Sequence, residues 1–180
     1  MVATISVGGS LELGVADGHG RMFVNVEDKN ELVILDTHTR KVVRHVALTG
    51  CDGPTGIAYD SGAREVVSAC GGNAVAIVSR SDGTRVASLP IGNGADGAAL
   101  DPVHHLVLVP AGRSGNISVI RLLPKPSVIT QIPTAVSART IAVDPTTGRA
   151  YLPSARLAPA TGNERPKAIP STFRVLVVAP

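Results

Sequence analysis

Apolar residues fall in short runs along this chain, separated by clusters of Gly, Asp, Asn, Thr and Ser. Short apolar runs bounded by turn formers predict strands rather than helices. Four of the runs share one outline. Gly56-Ile57-Ala58-Tyr59-Asp60 has counterparts in Gly14-Val15-Ala16-Asp17, Gly97-Ala98-Ala99-Leu100-Asp101 and Thr140-Ile141-Ala142-Val143-Asp144. The closing aspartates stand 43, 41 and 43 residues apart. Each copy predicts an inner strand (A), an Asp-led turn, a second strand (B), a Gly/Asn turn, a third strand (C), another turn and an outer strand (D).

A period of 40 to 45 residues with four strands per period is the signature of a β-propeller blade. The fold class expected is therefore all-β, a propeller of about four four-stranded blades in one domain over residues 1–180. The units cover about 13–48, 56–91, 97–132 and 140–178. In the fourth unit the B-to-C connection is a long Pro/Gly/Ala-rich stretch, 153–171, and no D strand follows. Val7 lies ten residues before Asp17, as Ile91 lies ten before Asp101. Residues 1–7 thus read as the D strand of a preceding or shared blade. Pairing of the two ends would close a four-bladed ring and remove exposed sheet edges. The alternative is part of a larger ring, with a homodimer as one way to complete it.

The second strands, Arg21-Met-Phe-Val-Asn, Glu65-Val-Val-Ser-Ala, His105-Leu-Val-Leu-Val and Arg149-Ala-Tyr-Leu-Pro, resemble the Tyr-Val-Thr-Asn strand of the YVTN-type β-propeller repeat family. Asn30-Glu-Leu-Val-Ile-Leu-Asp-Thr-His-Thr-Arg-Lys-Val-Val and Asp144-Pro-Thr-Thr-Gly-Arg fit the same repeat. The 153–171 stretch and the Phe173-Arg-Val-Leu-Val-Val ending look like the C-terminal end of YncE-like members. Members usually have seven blades and are exported to the periplasm. The resemblance implies a non-enzymatic binding or scaffolding role and a periplasmic or secreted location. Residues 1–7 lack the basic and apolar segments of a leader, which leaves the cytoplasm as the alternative.

Composition changes this picture little. The net charge is +3, and the only aromatic residues are Phe23, Tyr59, Tyr151 and Phe173. Binding of single-stranded nucleic acid wants aromatic platforms beside basic residues, so it is permitted but disfavoured. No apolar run reaches the roughly 18 residues of a membrane span.

The register supplies the candidate site. Five residues before the aligned aspartates stand Glu12, Thr55, Asp96 and Arg139. Each leads into strand A, which lines a propeller's axis, so four different polar side chains converge near the channel mouth. They suit a small polar ligand, an ion or a protein partner. Asp52 and Asn93, in Gly-rich loops beside them, extend the candidate ligand-binding set. Oxygen-rich loops permit a divalent metal, but the ordered ligand spacing of an EF-hand is absent, and no cofactor is expected. Gly92-x-Gly94-x-x-Gly97 precedes a strand, not a helix, and so fails as a dinucleotide motif. Carboxylates and a guanidinium also allow a lactonase- or hydrolase-like enzyme as the alternative, although no catalytic residue is assigned. Cys51 precedes the inner strand of the second unit and Cys70 ends its B strand. Antiparallel pairing returns one towards the other, which predicts a disulfide.

Overall fold

In the computed structural model, which describes residues 2–160 and 166–179, the chain is all-β, with no α-helix among the described residues. The first sheet is β1 (Leu11–Ala16), β2 (Arg21–Val26), β3 (Glu31–Asp36) and β4 (Lys41–Ala47). The second is β5 (Pro54–Asp60), β6 (Glu65–Cys70), β7 (Val75–Arg80) and β8 (Arg85–Pro90). The third is β9 (Ala99–Asp101), β10 (Leu106–Ala111), β11 (Asn116–Arg121) and β12 (Ser127–Pro133). The fourth holds three strands, β13 (Ala142–Val143), β14 (Ala150–Ser154) and β15 (Arg174–Val178). Every sheet is an antiparallel meander in chain order.

The repeat aspartates explain why each unit starts the same way. Asp17 Oδ1 accepts hydrogen bonds from the backbone N–H of His19 and Arg21, and Asp60 Oδ1 from those of Gly62 and Ala63. Asp101 and Asp144 do the same for Val103 and His104, and for Thr146. An aspartate that satisfies the N–H groups of its own turn favours the turn over continued strand. Asp60 and Asp101 are buried, so their service to the turn is also protection of an otherwise costly charge.

The sheets stack face to face, and alternate residues of each strand serve different neighbours. Phe23, Leu32, Ile34, Ile57, Tyr59 and Val66 fill the space between the first and second sheets, with the Phe23 and Tyr59 rings stacked at 5.4 Å. Ala58, Val67, Val78, Val107, Val109 and Ile120 fill the next layer. Leu108, Ile117, Val119, Ala150 and Leu152 join the third sheet to the fourth. The inner strands β1, β5, β9 and β13 follow one another, each packed on the next.

Polar ties hold the inner strands at fixed spacing. Fully buried Asn25 donates through Nδ2 to the carbonyls of Thr55 (3.2 Å) and Gly56 (3.0 Å) and accepts at Oδ1 from Ser68 Oγ (2.8 Å). Replacing Asn25 with alanine leaves three buried partners unsatisfied and lowers stability by about 2 kcal/mol, measurable as a reduced urea midpoint.

The two ends of the stack differ from the sequence expectation. Residues 2–10 form no strand ladder among the described residues. Ile5 and Val7 lie instead against the far face of the first sheet, among Met22, Val24, Val26, Val33, Leu35 and Val42. At the other end, the far face of the fourth sheet is open: Phe173, Val175 and Val177 are 73%, 59% and 59% exposed. Among the described residues, no strand ladder joins the two ends. The 153–171 connection contains an isolated bridge, Leu157 to Ala168, with the Ala158 N–H donating to the Lys167 carbonyl. Residues 161–165 lie outside the described residues.

Candidate functional site

The loops that precede the inner strands share one end of the stack with the B-to-C turns. Two of the four register residues, Asp96 and Arg139, pair there, and a third, Glu12, lies within reach of the Asp96 charge. The Arg139 guanidinium (Nε) lies 3.3 Å from Asp96 Oδ2, and both side chains are partly exposed. Glu12, at the start of β1, meets Glu27 by a side-chain hydrogen bond and feels the charge of Asp96. Partial burial of its carboxyl first, then the negative charges of Glu27 and Asp96, then that hydrogen bond raise the Glu12 pKa above its ordinary value. A carboxyl so placed holds its proton to higher pH and can donate it to its neighbour.

Thr55 has a different role from the one expected. It is buried, and its Oγ1 donates to the carbonyl of Ala95 at 3.1 Å, with Ala69 at 3.4 Å. The hydroxyl thus ties β5 to the loop before β9 and is not presented to a ligand. Its position five residues before Asp60 is inside the strand, because β5 begins at Pro54, whereas Asp96 and Arg139 lie in loops.

Asp52 and Asn93 are exposed loop residues whose backbones make turns. The Asp52 N–H donates to Asn73 Oδ1, and its carbonyl accepts from the Gly72 N–H. The Asn93 N–H donates to Ser114 Oγ, and its carbonyl accepts from the N–H groups of Arg113 and Ser114. Neither side chain is brought to the Glu12–Asp96–Arg139 group by any hydrogen bond or ion pair described. Among the described residues, no three His, Cys, Asp or Glu side chains are grouped so as to hold a metal ion.

Glycines make this end tight. A Cβ on Gly56 would run into the carbonyl group of Gly97, with the oxygen at 2.6 Å and Ala98 N at 2.8 Å. A Cβ on Gly112 would lie 2.8 Å from that of Arg139. The absence of side chains at these positions lets the loops before β9 and β13 close upon β5 and upon each other.

Cys51 and Cys70 form a disulfide with a Cα–Cα distance of 5.4 Å. It joins the loop before β5 to the end of β6 and is buried between the first two sheets. Gly53 is held in the same loop by its N–H bond to Asn30 Oδ1 and by its carbonyl, which accepts from the Gly71 N–H.

Two features had no sequence signal of their own. Glu27 sits in the first B-to-C turn, the 3-10 segment Glu27–Lys29, and has no counterpart in the aspartate register. His104 Nδ1 lies 2.7 Å from Asp101 Oδ2, and His45 Nδ1 lies 2.9 Å from Glu31 Oε2. The first pair lies at the turn after β9, and the second joins the start of β3 to β4.

No protein-family model matches the chain, and no curated protein sequence matches it. Among solved structures, it is similar to a hydrazine synthase chain from Kuenenia stuttgartiensis, with a TM-score of 0.71 at 13% sequence identity. That match covers 81% of this chain and 41% of the other, so this chain spans about two fifths of that matched chain. At such low identity the likeness concerns the fold alone, an all-β propeller-like stack of sheets. Among the described residues, no helix is long and apolar enough to cross a membrane.

Proposed function

We propose that this chain is a YVTN-type propeller module that binds rather than catalyses, and that it takes its ligand at the mouth formed by Glu12, Glu27, Asp96 and Arg139. The observation that carries this reading is the convergence of these side chains from three different units, with Glu12 held against Glu27 and Asp96 against Arg139. Repeat symmetry by itself would favour the same residue in each unit, so unlike polar groups at equivalent positions point to recognition. Three carboxyl groups beside one guanidinium favour a small ligand or a partner side chain bearing an ammonium or guanidinium group. Such a ligand pairs with the carboxylates of Glu12 and Glu27 and competes with Arg139 for Asp96. By the family resemblance, the module works in the periplasm or outside the cell.

The test is calorimetric titration with a primary diamine and with arginine as probes. Binding is expected to strengthen as pH rises through the raised Glu12 pKa, because the carboxylate and not the acid attracts the cation. The Glu12→Gln/Glu27→Gln variant is expected to bind at least tenfold more weakly with its melting temperature unchanged. Equal binding by parent and variant, or the opposite pH trend, refutes this assignment of the site. Turnover of an ester or lactone probe by the same mouth would favour a hydrolase.

A further inference from the structure

Glu65 breaks the pattern that the other units follow at their first hairpin. In the first and fourth units an arginine stands beside the repeat aspartate where the second strand begins. The Asp17 N–H donates to the Arg21 carbonyl, and the Asp144 N–H to the Arg149 carbonyl. In the third unit the neutral Leu106 stands opposite Asp101. In the second unit Asp60 has Glu65 opposite it, and Glu65 has Arg80 opposite it on its other side. Residues directly opposite in a ladder share a face, and like charges so placed destabilise the pair. Ala58, Val67 and Val78 belong to the same alternating set and pack in the layer between the second and third sheets. The two carboxyl groups therefore stand at the turn end of that layer.

Both are buried, Asp60 at 3% exposure and Glu65 at 8%. Asp60 Oδ1 accepts from its own turn, but Glu65 Oε2 is shielded from water and has no hydrogen-bond partner. Two further charged or titratable groups face the pair. Arg80, on β7, favours the ionised form of Glu65. His105, from the turn between β9 and β10, holds Nδ1 3.7 Å from Asp60 Oδ2, beyond hydrogen-bonding distance. Burial above all, and also the charge of Asp60, raise the Glu65 pKa above its ordinary value against the opposing effect of Arg80.

We infer that Asp60 and Glu65 form a proton-controlled joint between the second and third units: a proton shared by the pair keeps this end of the layer closed, and its loss loosens it. Two ionised carboxylates facing each other away from water repel, and Glu65 Oε2 then needs a solvent partner. Water reaches it when the turn between β5 and β6 parts from the turn between β9 and β10. Loss of a proton from His105 acts in the same direction, because it removes a positive charge facing Asp60. Below the ordinary glutamate range the folded and unfolded chains both hold the Glu65 proton, and the pair costs nothing. As pH rises through the raised pKa the unfolded chain has already released its proton, so stability falls and the joint opens.

The test compares the parent chain with Glu65→Gln, which keeps the shape of the neutral acid. Their melting temperatures are expected to coincide near pH 4, and the variant to melt roughly 2–4 °C higher near pH 7. Amide protection in the 61–64 and 102–105 turns, corrected for intrinsic exchange, is expected to fall several-fold in the parent between pH 5 and pH 7. It is expected to stay level in the variant. Carboxyl-carbon NMR of the parent follows Glu65 itself, and Arg80→Gln should move that titration to still higher pH. A Glu65 carboxyl that titrates at or below the ordinary range overturns the inference, and so does level protection in the parent. A variant less stable than the parent near pH 7 also overturns it, since ionised Glu65 would then be held by Arg80. If Glu65→Gln fails to fold, the titration and exchange measurements on the parent decide.

Discussion

Opening the Cys51–Cys70 disulfide, by reduction or by alanine at both positions, lowers the unfolding free energy by about 3 kcal/mol. The bond closes a loop with a sequence separation of 19 residues, so its loss returns that loop's freedom to the unfolded chain. For a domain of this size the melting temperature should fall by roughly 6–12 °C. The effect reaches the mouth as well. The bond anchors the loop containing Asp52 and Gly53 to the end of β6, beside the turn at Gly71 and Gly72. Scanning calorimetry with and without reductant measures the loss, and a shift of a degree or less would show that packing alone fixes this loop.

Gly56→Ala is the second large effect, although it adds a single methyl group. Gly56 does not have a positive φ, so the constraint is space rather than backbone conformation. The added carbon meets backbone of the 97–98 segment, which cannot rotate away as a side chain would. Either β5 or the loop before β9 must move. The expected cost is about 3 kcal/mol, at the upper end of overpacking penalties. The displacement also shifts Asp96, one residue before the clash, so its ion pair with Arg139 should weaken. Gly50→Ala is the control at a glycine with open space around it but a positive φ, where only the smaller conformational cost applies. Equal melting temperatures for Gly56→Ala and the parent chain would refute the close approach of the inner strands.

The strand pattern was legible because its two determinants are local. The repeated aspartate fixes each first turn, and the apolar runs fix the strands that follow. The repeated run 97–101 and the observed strand Ala99–Asp101 differ by two residues, both at the start. The disulfide was legible for the same reason, since Cys70 lies opposite Pro54 in the antiparallel pair. What was not legible depends on contacts between distant units. Thr55 shares its register with Asp96 and Arg139, but β5 extends further towards the mouth and buries the hydroxyl against Ala95. Glu27 belongs to a turn of the first unit, and only the stacking of sheets brings it to Glu12. The position of residues 3–7 is of the same kind. Their alternation suits a strand, yet among the described residues Ile5 and Val7 are placed by packing on the first sheet and not by a strand ladder.

The mouth formed by Glu12, Glu27, Asp96 and Arg139 is proposed above as the binding surface of this propeller-like module. The most direct measurement is amide chemical-shift mapping of the isotope-labelled chain during titration with a primary diamine. Saturable shifts are expected, centred on residues 12, 27, 96 and 139 and on the neighbouring loop at Gly97, with the amides of β4, β8 and β12 unmoved. Shifts scattered over the surface, or centred on another face, would contradict it.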